Sequence, residues 1–294
     1  MTLATAFSSH TAADAAGIEI RPLQPTIGAE IHGIDIARPL SPVQRDAIKA
    51  AILDYKVVFF RDQTLDKESQ AAFARNFGPL YDYPSPTSDS NIVPIHKISA
   101  TDAKKRDRGQ QPDFLKDIIR EGDYYHSDTS WRLVPAWGAV LRAVDLPAIG
   151  GDTIWVDANL AYEGLSAELK ARLESLHVVH DFQHSLNAMG HDYPVVAHPA
   201  VRTHRETGRK ILWVNFSQKP QFLGIELEES RKLALEVLRQ YKRPEFQVRF
   251  SWKPGSVAFW DNRAAVHYAV RNYGDYPRLL ERILILDEPL YADL

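Results

Sequence analysis

Apolar and polar positions alternate in short runs along most of the chain, and a few longer stretches carry a helical period instead. Ile18–Arg21 alternates and contains β-branched residues, which predicts a short strand ended by Pro22. Ser41 ahead of Pro42 predicts a helix start, with Ser41 as N-cap, Pro42 in the first turn and the helix running to Tyr55. Val57–Phe60 is a short buried strand closed by Arg61-Asp62, and Lys67–Phe77 a second helix stopped by Gly78-Pro79. Beyond Tyr124 strands dominate, predicted over 138–144, 153–156, 246–252, 257–260, 265–270 and 281–286. A hairpin joins 197–203 to 210–215 through the turn Glu206-Thr207-Gly208. Two more helices follow from periodicity: Ser166–Leu176, capped by Ser166, and Glu226–Tyr241, with Leu227, Leu233, Leu235, Val237 and Leu238 among its apolar residues. Short strands separated by frequent turns predict a barrel or jelly roll, mainly β with flanking helices.

The pattern breaks twice. Residues 1–17 are rich in Ala, Ser and Thr and read as a flexible tail. Residues 84–122 hold four prolines and a charged run and read as a long loop, a probable-lid region in functional terms, since unstructured segments of that length inside a domain are usually functional or disordered. Residues 18–294 otherwise read as one domain, with no repeat and no compositional break.

Composition narrows the chemistry. Apolar residues make up 45% and charged residues 25% of the 294, ordinary for a globular protein. A formal net charge of −3 supplies no global positive field for nucleic acid or an anionic membrane. The absence of cysteine excludes disulfides, thiolate metal sites and a cysteine nucleophile, so a metal would need His, Asp or Glu. The start of the chain has neither the basic nor the long apolar region of a signal peptide, and no run approaches a membrane span, which predicts a cytoplasmic protein.

His126-Ser127-Asp128 is the strongest chemical signal. In a strand, i and i+2 share a face, so an imidazole and a carboxylate can converge on one ion as part of a two-His, one-carboxylate facial set that leaves three coordination positions open. His267, in the alternating stretch Ala265–Val270 with small residues at 265 and 269, is the best placed of the other histidines for the third ligand. His204-Arg205-Glu206 has the same His-x-acid form. It lies at a hairpin tip among Arg202, Arg205, Arg209 and Lys210, which would repel a divalent ion, and reads as solvated turn residues.

Several motifs in one order now resemble a known family. They are Ile27-Gly28-Ala29-Glu30-Ile31, Val57–Gln63, Phe77-Gly78, His126-Ser127-Asp128, Leu146-Pro147 with Gly150–Trp155, and Trp260-Asp261-Asn262-Arg263 to His267-Tyr268, ending with Arg278 and Arg282. The chain is similar over nearly its whole length to the taurine/2-oxoglutarate dioxygenases, a family that includes alkylsulfate and aryloxyalkanoate enzymes. The resemblance implies a double-stranded β-helix (jelly-roll) core, with Fe(II) as metal and 2-oxoglutarate and O2 as co-substrates. It makes His126, Asp128 and His267 the iron ligands. Arg278, eleven residues past His267 as in the family, becomes the clamp for the distal carboxylate of 2-oxoglutarate, with Thr153 as its hydroxyl partner. A guanidinium fork suits that carboxylate on physical grounds alone. Arg282 would hold the anionic group of the primary substrate, sharing a face with Arg278 if the segment is a strand, with Glu281 pointing away.

Two positions that contact the amine in taurine enzymes are Tyr83 and Gly122 here, which supply fewer hydrogen-bond partners for an amine and point away from taurine. Tyr83 is thus a substrate-binding position, and Leu186, Phe216, Trp131 and Tyr124 are pocket-wall positions for a bulkier substrate. The expected partner is a small to medium anionic molecule: a sulfonate, alkyl sulfate, aryloxyalkanoate or other carboxylate. Dimers or tetramers are expected from the resemblance. A metal-dependent hydrolase or isomerase, or a non-catalytic binding protein, on the same β scaffold are the competing readings; the spacing of His267 and Arg278, with Thr153, favours the oxygenase over both.

Overall fold

A computed structural model describes residues 13–81, 96–99, 125–187, 190, 192–217 and 220–287. Sixteen strands and six α-helices are described. The strands are β1 (Glu19–Pro22), β2 (Ala29–His32), β3 (Val57–Phe60), β4 (Leu80–Tyr81), β5 (His96–Ser99), β6 (Gly138–Asp145), β7 (Thr153–Asp157) and β8 (His177–His180). They continue with β9 (Val196–Pro199), β10 (Val201–Thr203), β11 (Lys210–Leu212), β12 (Gln221–Phe222), β13 (Gln247–Phe250), β14 (Val257–Asp261), β15 (Ala265–Ala269) and β16 (Leu279–Ile285). The helices are α1 (Pro42–Tyr55), α2 (Lys67–Arg75), α3 (Ala158–Glu163), α4 (Ala167–Glu174), α5 (Gln183–Asn187) and α6 (Leu227–Tyr241). Among the described residues no helix is long and apolar enough to cross a membrane.

Local chemistry starts the helices where the sequence places them. Ser41 and Gln44 form a reciprocal capping box at α1 with Pro42 in its first turn, and Ser166 caps α4 through Leu169 N. A second capping box, Asp66 with Ser69, opens α2. Helix α1 ends at Lys56, which takes φ 63°, and its ammonium is buried, 2.9 Å from Thr26 O and 3.3 Å from the carboxylate of Asp157. Asp157 in turn caps α3 through Asn159 N and Leu160 N.

Two sheets make the core. The larger runs β1-β2-β3-β14-β6-β16-β4, with β5 also on β16; the smaller that faces it runs β13-β7-β15. Alternation decides what each face meets. Val57, Phe59, Ala139, Leu141, Ala258, Trp260, Leu280 and Leu284 of the larger sheet pack with Trp155, Val248, Phe250 and Ala265 of the smaller, forming the interior of the jelly roll. The opposite face of the larger sheet, with Val58, Phe60, Val140, Phe259 and Ile283, packs against α1 and α2. The outer side of the smaller sheet, with Val156 and Val266, is covered by α6 through Leu233, Val237 and Tyr241.

Three sequence expectations change. Residues 96–99 lie inside the stretch read as an unbroken loop, yet form a strand antiparallel to β16, with His96 opposite Arg282. Four residues carry too short a pattern for a strand signal; pairing to an existing edge makes it one. The rest of 84–122 lies outside the described residues. Within the stretch read as a flexible tail, residues 13–16 form a helical turn, and Ala13 is buried in the α1/α2 core. His204 is not solvated: it is 3% exposed and 2.9 Å from Asp261, in a buried network that reaches Arg263 and Glu206. The predicted hairpin is present, and residues 205–208 of its tip are exposed; only His204 is buried.

A pair of histidines gives the fold a pH signature. His180 on β8 is 2% exposed, and neither ring nitrogen has a hydrogen-bond partner. Burial pushes its pKa down to about 3, and that of neighbouring His198 to about 4. Both fold as neutral rings, so the stability they contribute is complete above the ordinary histidine pKa and is lost as pH falls through it toward 4. Stability should fall by roughly 1.4 kcal/mol per pH unit for each refused proton. Urea unfolding between pH 6.5 and 4.5 checks this; His180→Leu, which removes an unsatisfied buried polar group, should raise stability and flatten the slope.

Candidate metal centre

The three predicted ligands come together. Side-chain ligand atoms of His126, Asp128 and His267 all lie within 4.8 Å of one another. Nε2 of each histidine is 3.8 Å from Asp128 Oδ1, and the two imidazole centroids are 4.1 Å apart. Backbone pairing causes this. His126 and His267 exchange both hydrogen bonds of an antiparallel bridge, His126 N donating to His267 O at 3.0 Å and His267 N to His126 O at 2.8 Å. His267 is itself fixed in β15 opposite Trp155 of β7, and its ring lies 5.0 Å from that of Trp260 inside the jelly roll.

Asn262 completes the frame. Its Oδ1 accepts from Asp128 N at 2.7 Å, and its Nδ2 donates to Asp128 O and Ala136 O, both at 2.9 Å. One buried amide thus holds the backbone of a ligand on a different segment. Sequence reading quoted Asn262 as part of a motif without giving it this role. Its signal was a polar amide two residues after the apolar stretch Val257–Trp260, where a buried amide must find partners.

The donor set fits a hard or borderline divalent ion. Desolvation and the neighbouring His126 push the His267 pKa down to about 3, which keeps its ring neutral and able to ligate. Metal–ligand bonds of about 2.1 Å place adjacent donors of a facial set roughly 3 Å apart, so a modest inward movement from the present spacing completes coordination. Arg282 Nη1 donates to Asp128 Oδ1, the same oxygen that faces both imidazoles.

Arg278 immediately precedes β16 and is 4% exposed. Its Nε donates to Gly151 O at 2.9 Å, and Nη2 lies 3.4 Å from Thr153 Oγ1. That hydroxyl also accepts from the Trp252 indole at 3.0 Å. Gly151 takes φ 73°, and a Cβ there would come within 3.0 Å of the Arg278 Nε and Cδ, which explains why the turn carries glycine. Thr153 is two residues from Trp155 on β7, so it shares the face that looks inward.

Arg282, 7% exposed, shares its face of β16 with Leu280 and Leu284, both in the interior cluster. Glu281 points the other way as expected, but to a buried partner: it is 3% exposed and 2.5 Å from Arg142. Of the pocket-wall positions, Phe216 is 1% exposed and packs at right angles to Tyr241 in the core beneath α6, contacts that give no support to a substrate role. Leu186 is buried on α5. Trp131 packs edge-on to Tyr193 at 4.9 Å. Tyr83, Gly122 and Tyr124 lie outside the described residues.

Known proteins share the sequence pattern and the fold. The family profile described as "Taurine catabolism dioxygenase TauD, TfdA family" matches residues 19–284. An alpha-ketoglutarate-dependent sulfate ester dioxygenase of Pseudomonas putida is 30% identical over 95% of this chain and 92% of its own length. An (S)-phenoxypropionate/alpha-ketoglutarate-dioxygenase of Sphingobium herbicidovorans is 33% identical over 85% of this chain and 88% of its own. Among solved structures, a taurine dioxygenase from Burkholderia xenovorans superposes with a TM-score of 0.77 at 36% identity, covering 92% of this chain and 91% of that one. The structure of AAD-2 in complex with Mn(II) and N-oxalylglycine gives a TM-score of 0.73 at 28% identity, covering 92% and 97%. With a matched profile over most of its length and a jelly roll that gathers two imidazoles and a carboxylate, the chain belongs to the TauD/TfdA family and is an α-ketoglutarate-dependent dioxygenase that works with Fe(II) and O2.

Proposed function

We propose that this enzyme hydroxylates a small to medium anionic organic substrate at a carbon held over the His126, Asp128, His267 centre, converting 2-oxoglutarate to succinate and CO2. The observation that carries the reading is the pair of buried guanidiniums four residues apart at the start of β16: Arg282, which donates to Asp128 Oδ1, and Arg278, which lies against Gly151 and Thr153. The substrate class comes from that pair and from the relatives, whose names specify sulfate esters and phenoxypropionate.

Bound Fe(II) would supply an electrophilic centre at which O2 is reduced with electrons from the 2-oxo acid. The chain's own residues do the rest. His126, Asp128 and His267 would hold the ion. Arg278 pairs with the distal carboxylate of 2-oxoglutarate, and Thr153 adds a hydroxyl on the same side. Gly151 O and Trp252 hold those two groups in place, so the keto end reaches the metal in one orientation. Arg282 turns to the anionic head of the primary substrate and sets which carbon faces the metal. A hydrolase or isomerase would need no buried guanidinium for a dicarboxylate co-substrate beside the one that holds its substrate.

Three outcomes follow. Asp128→Ala should abolish most Mn(II) or Fe(II) binding in calorimetry; wild-type affinity in that variant would overturn the ligand assignment. Arg278→Ala leaves a buried carboxylate unpaired, costing about 3–5 kcal/mol, or roughly two to three and a half decades in 2-oxoglutarate affinity. Gly151→Ala forces its Cβ against Arg278 and should weaken 2-oxoglutarate binding in the same direction by less, with metal affinity unchanged. Unaltered 2-oxoglutarate affinity in both variants would refute the clamp.

A further inference from the structure

The loop that follows Asp128 carries a guanidinium with no role so far. Arg132 is 7% exposed, nine-tenths buried, four residues past a metal ligand. Thr129 takes φ 51°, and Arg132 N donates to Thr129 O at 2.9 Å, so the chain doubles back immediately after Asp128. Buried His198 fixes the far side of this turn, its Nε2 lying 3.0 Å from Ser130 O and 2.9 Å from Arg132 O. The turn is rigidly placed by groups that do nothing for the guanidinium itself.

Arg132 makes one side-chain hydrogen bond, from Nε to Val134 O at 3.3 Å, and no carboxylate pairs with it among the described residues. A guanidinium has five N–H donors. Burying one without a counter-charge is costly, and the other cations of this region show the usual solution: Arg282 pairs with Asp128, Arg142 with Glu281 and Arg263 with Asp261. Arg132 instead sits over the Tyr81 ring, its Cζ 4.2 Å from the centroid. Tyr81 on β4 is paired with Leu284 of β16 and packs against the interior cluster. Leu284 is two residues from Arg282 on the same face, a separation of roughly 7 Å along the strand. The stacked guanidinium therefore stands at the β4 edge of the same mouth that Arg282 faces.

We propose that Arg132 is a substrate-binding residue: its N–H groups, together with the Arg282 guanidinium, grip one anionic head group from two sides, with Tyr81 as the platform that keeps the Arg132 fork aimed. The inference rests on the reading of an anionic primary substrate and adds the residue that discriminates. Arg282 is already half neutralised by Asp128, whereas Arg132 meets the substrate with its charge uncompensated. A head with three terminal oxygens, a sulfate ester or sulfonate, satisfies two forks at once better than a carboxylate with two.

The test uses full-length enzyme loaded with Mn(II) and N-oxalylglycine, so that no turnover occurs. Pentyl sulfate and neutral 1-pentanol are titrated while the Mn(II) electron paramagnetic resonance spectrum is followed, a readout confined to ligands that reach the metal's surroundings. Arg132→Gln should weaken pentyl sulfate roughly 10- to 100-fold, Arg132→Lys should recover part of that loss, and 1-pentanol should respond equally in all forms. N-oxalylglycine affinity and the thermal midpoint of Arg132→Lys should stay at wild-type values. Equal losses for pentyl sulfate and 1-pentanol would mean a structural role and overturn the proposal. Wild-type pentyl sulfate affinity in Arg132→Gln, with affinity lost in Arg282→Gln, would overturn it and leave the anionic-substrate reading standing. No response to pentyl sulfate in the wild type would remove both.

Discussion

Two backbone hydrogen bonds between His126 and His267 are the constraint on which the site depends. They join the segment just ahead of β6 to strand β15, more than a hundred residues later, and they place both imidazoles on one face without any contribution from the rings. Asn262 does the same for Asp128, binding its N–H and its carbonyl at once. Ligand geometry is therefore set by main-chain pairing inside a packed jelly roll, where Trp155 and Trp260 leave the His267 ring little freedom. A metal that arrives finds donors already gathered, and needs only to compete with Arg282 for one carboxylate oxygen.

Charge organises the space above that frame. Arginines 132, 278 and 282 are all buried in a chain whose formal net charge is −3, and the neighbouring His267 ring is held neutral by desolvation and His126. Cations held away from water in this way cost stability unless anions meet them. Arg278 has hydroxyl and carbonyl partners that orient it without neutralising it, which suits a group waiting for a dicarboxylate. Arg282 has Asp128, whereas Arg132 has the Val134 carbonyl and the Tyr81 face and, among the described residues, no carboxylate, an asymmetry that would give the two guanidiniums different tasks.

Much of this was readable from residues. The His-x-Asp spacing and the alternation around His267 follow from period-2 geometry, the eleven-residue step to Arg278 came from the resemblance to the family, and the capping residues at Ser41 and Ser166 behave as their chemistry dictates. What escaped was set by distant partners. Strand β5 exists because β16 offers it an edge, and four residues carry too weak a pattern to announce it. His204 looked solvated because its neighbours in sequence are cations; its partner in space, Asp261, lies far along the chain. Arg132 carried no motif signal, since only the burial and the missing counter-charge set it apart from any other arginine. Phe216 shows the converse: an aromatic residue read as a pocket wall is spent on packing beneath α6.

The central claim is that this frame couples oxidation of 2-oxoglutarate to an anionic substrate. It is tested most directly by measuring succinate and O2 together in enzyme supplied with Fe(II), 2-oxoglutarate and a panel of alkyl sulfates, sulfonates and aryloxyalkanoates. The account predicts one succinate formed per O2 consumed, stimulated by at least one anionic compound and absent under nitrogen. Conversion of such a compound under nitrogen, with no succinate produced, would contradict it.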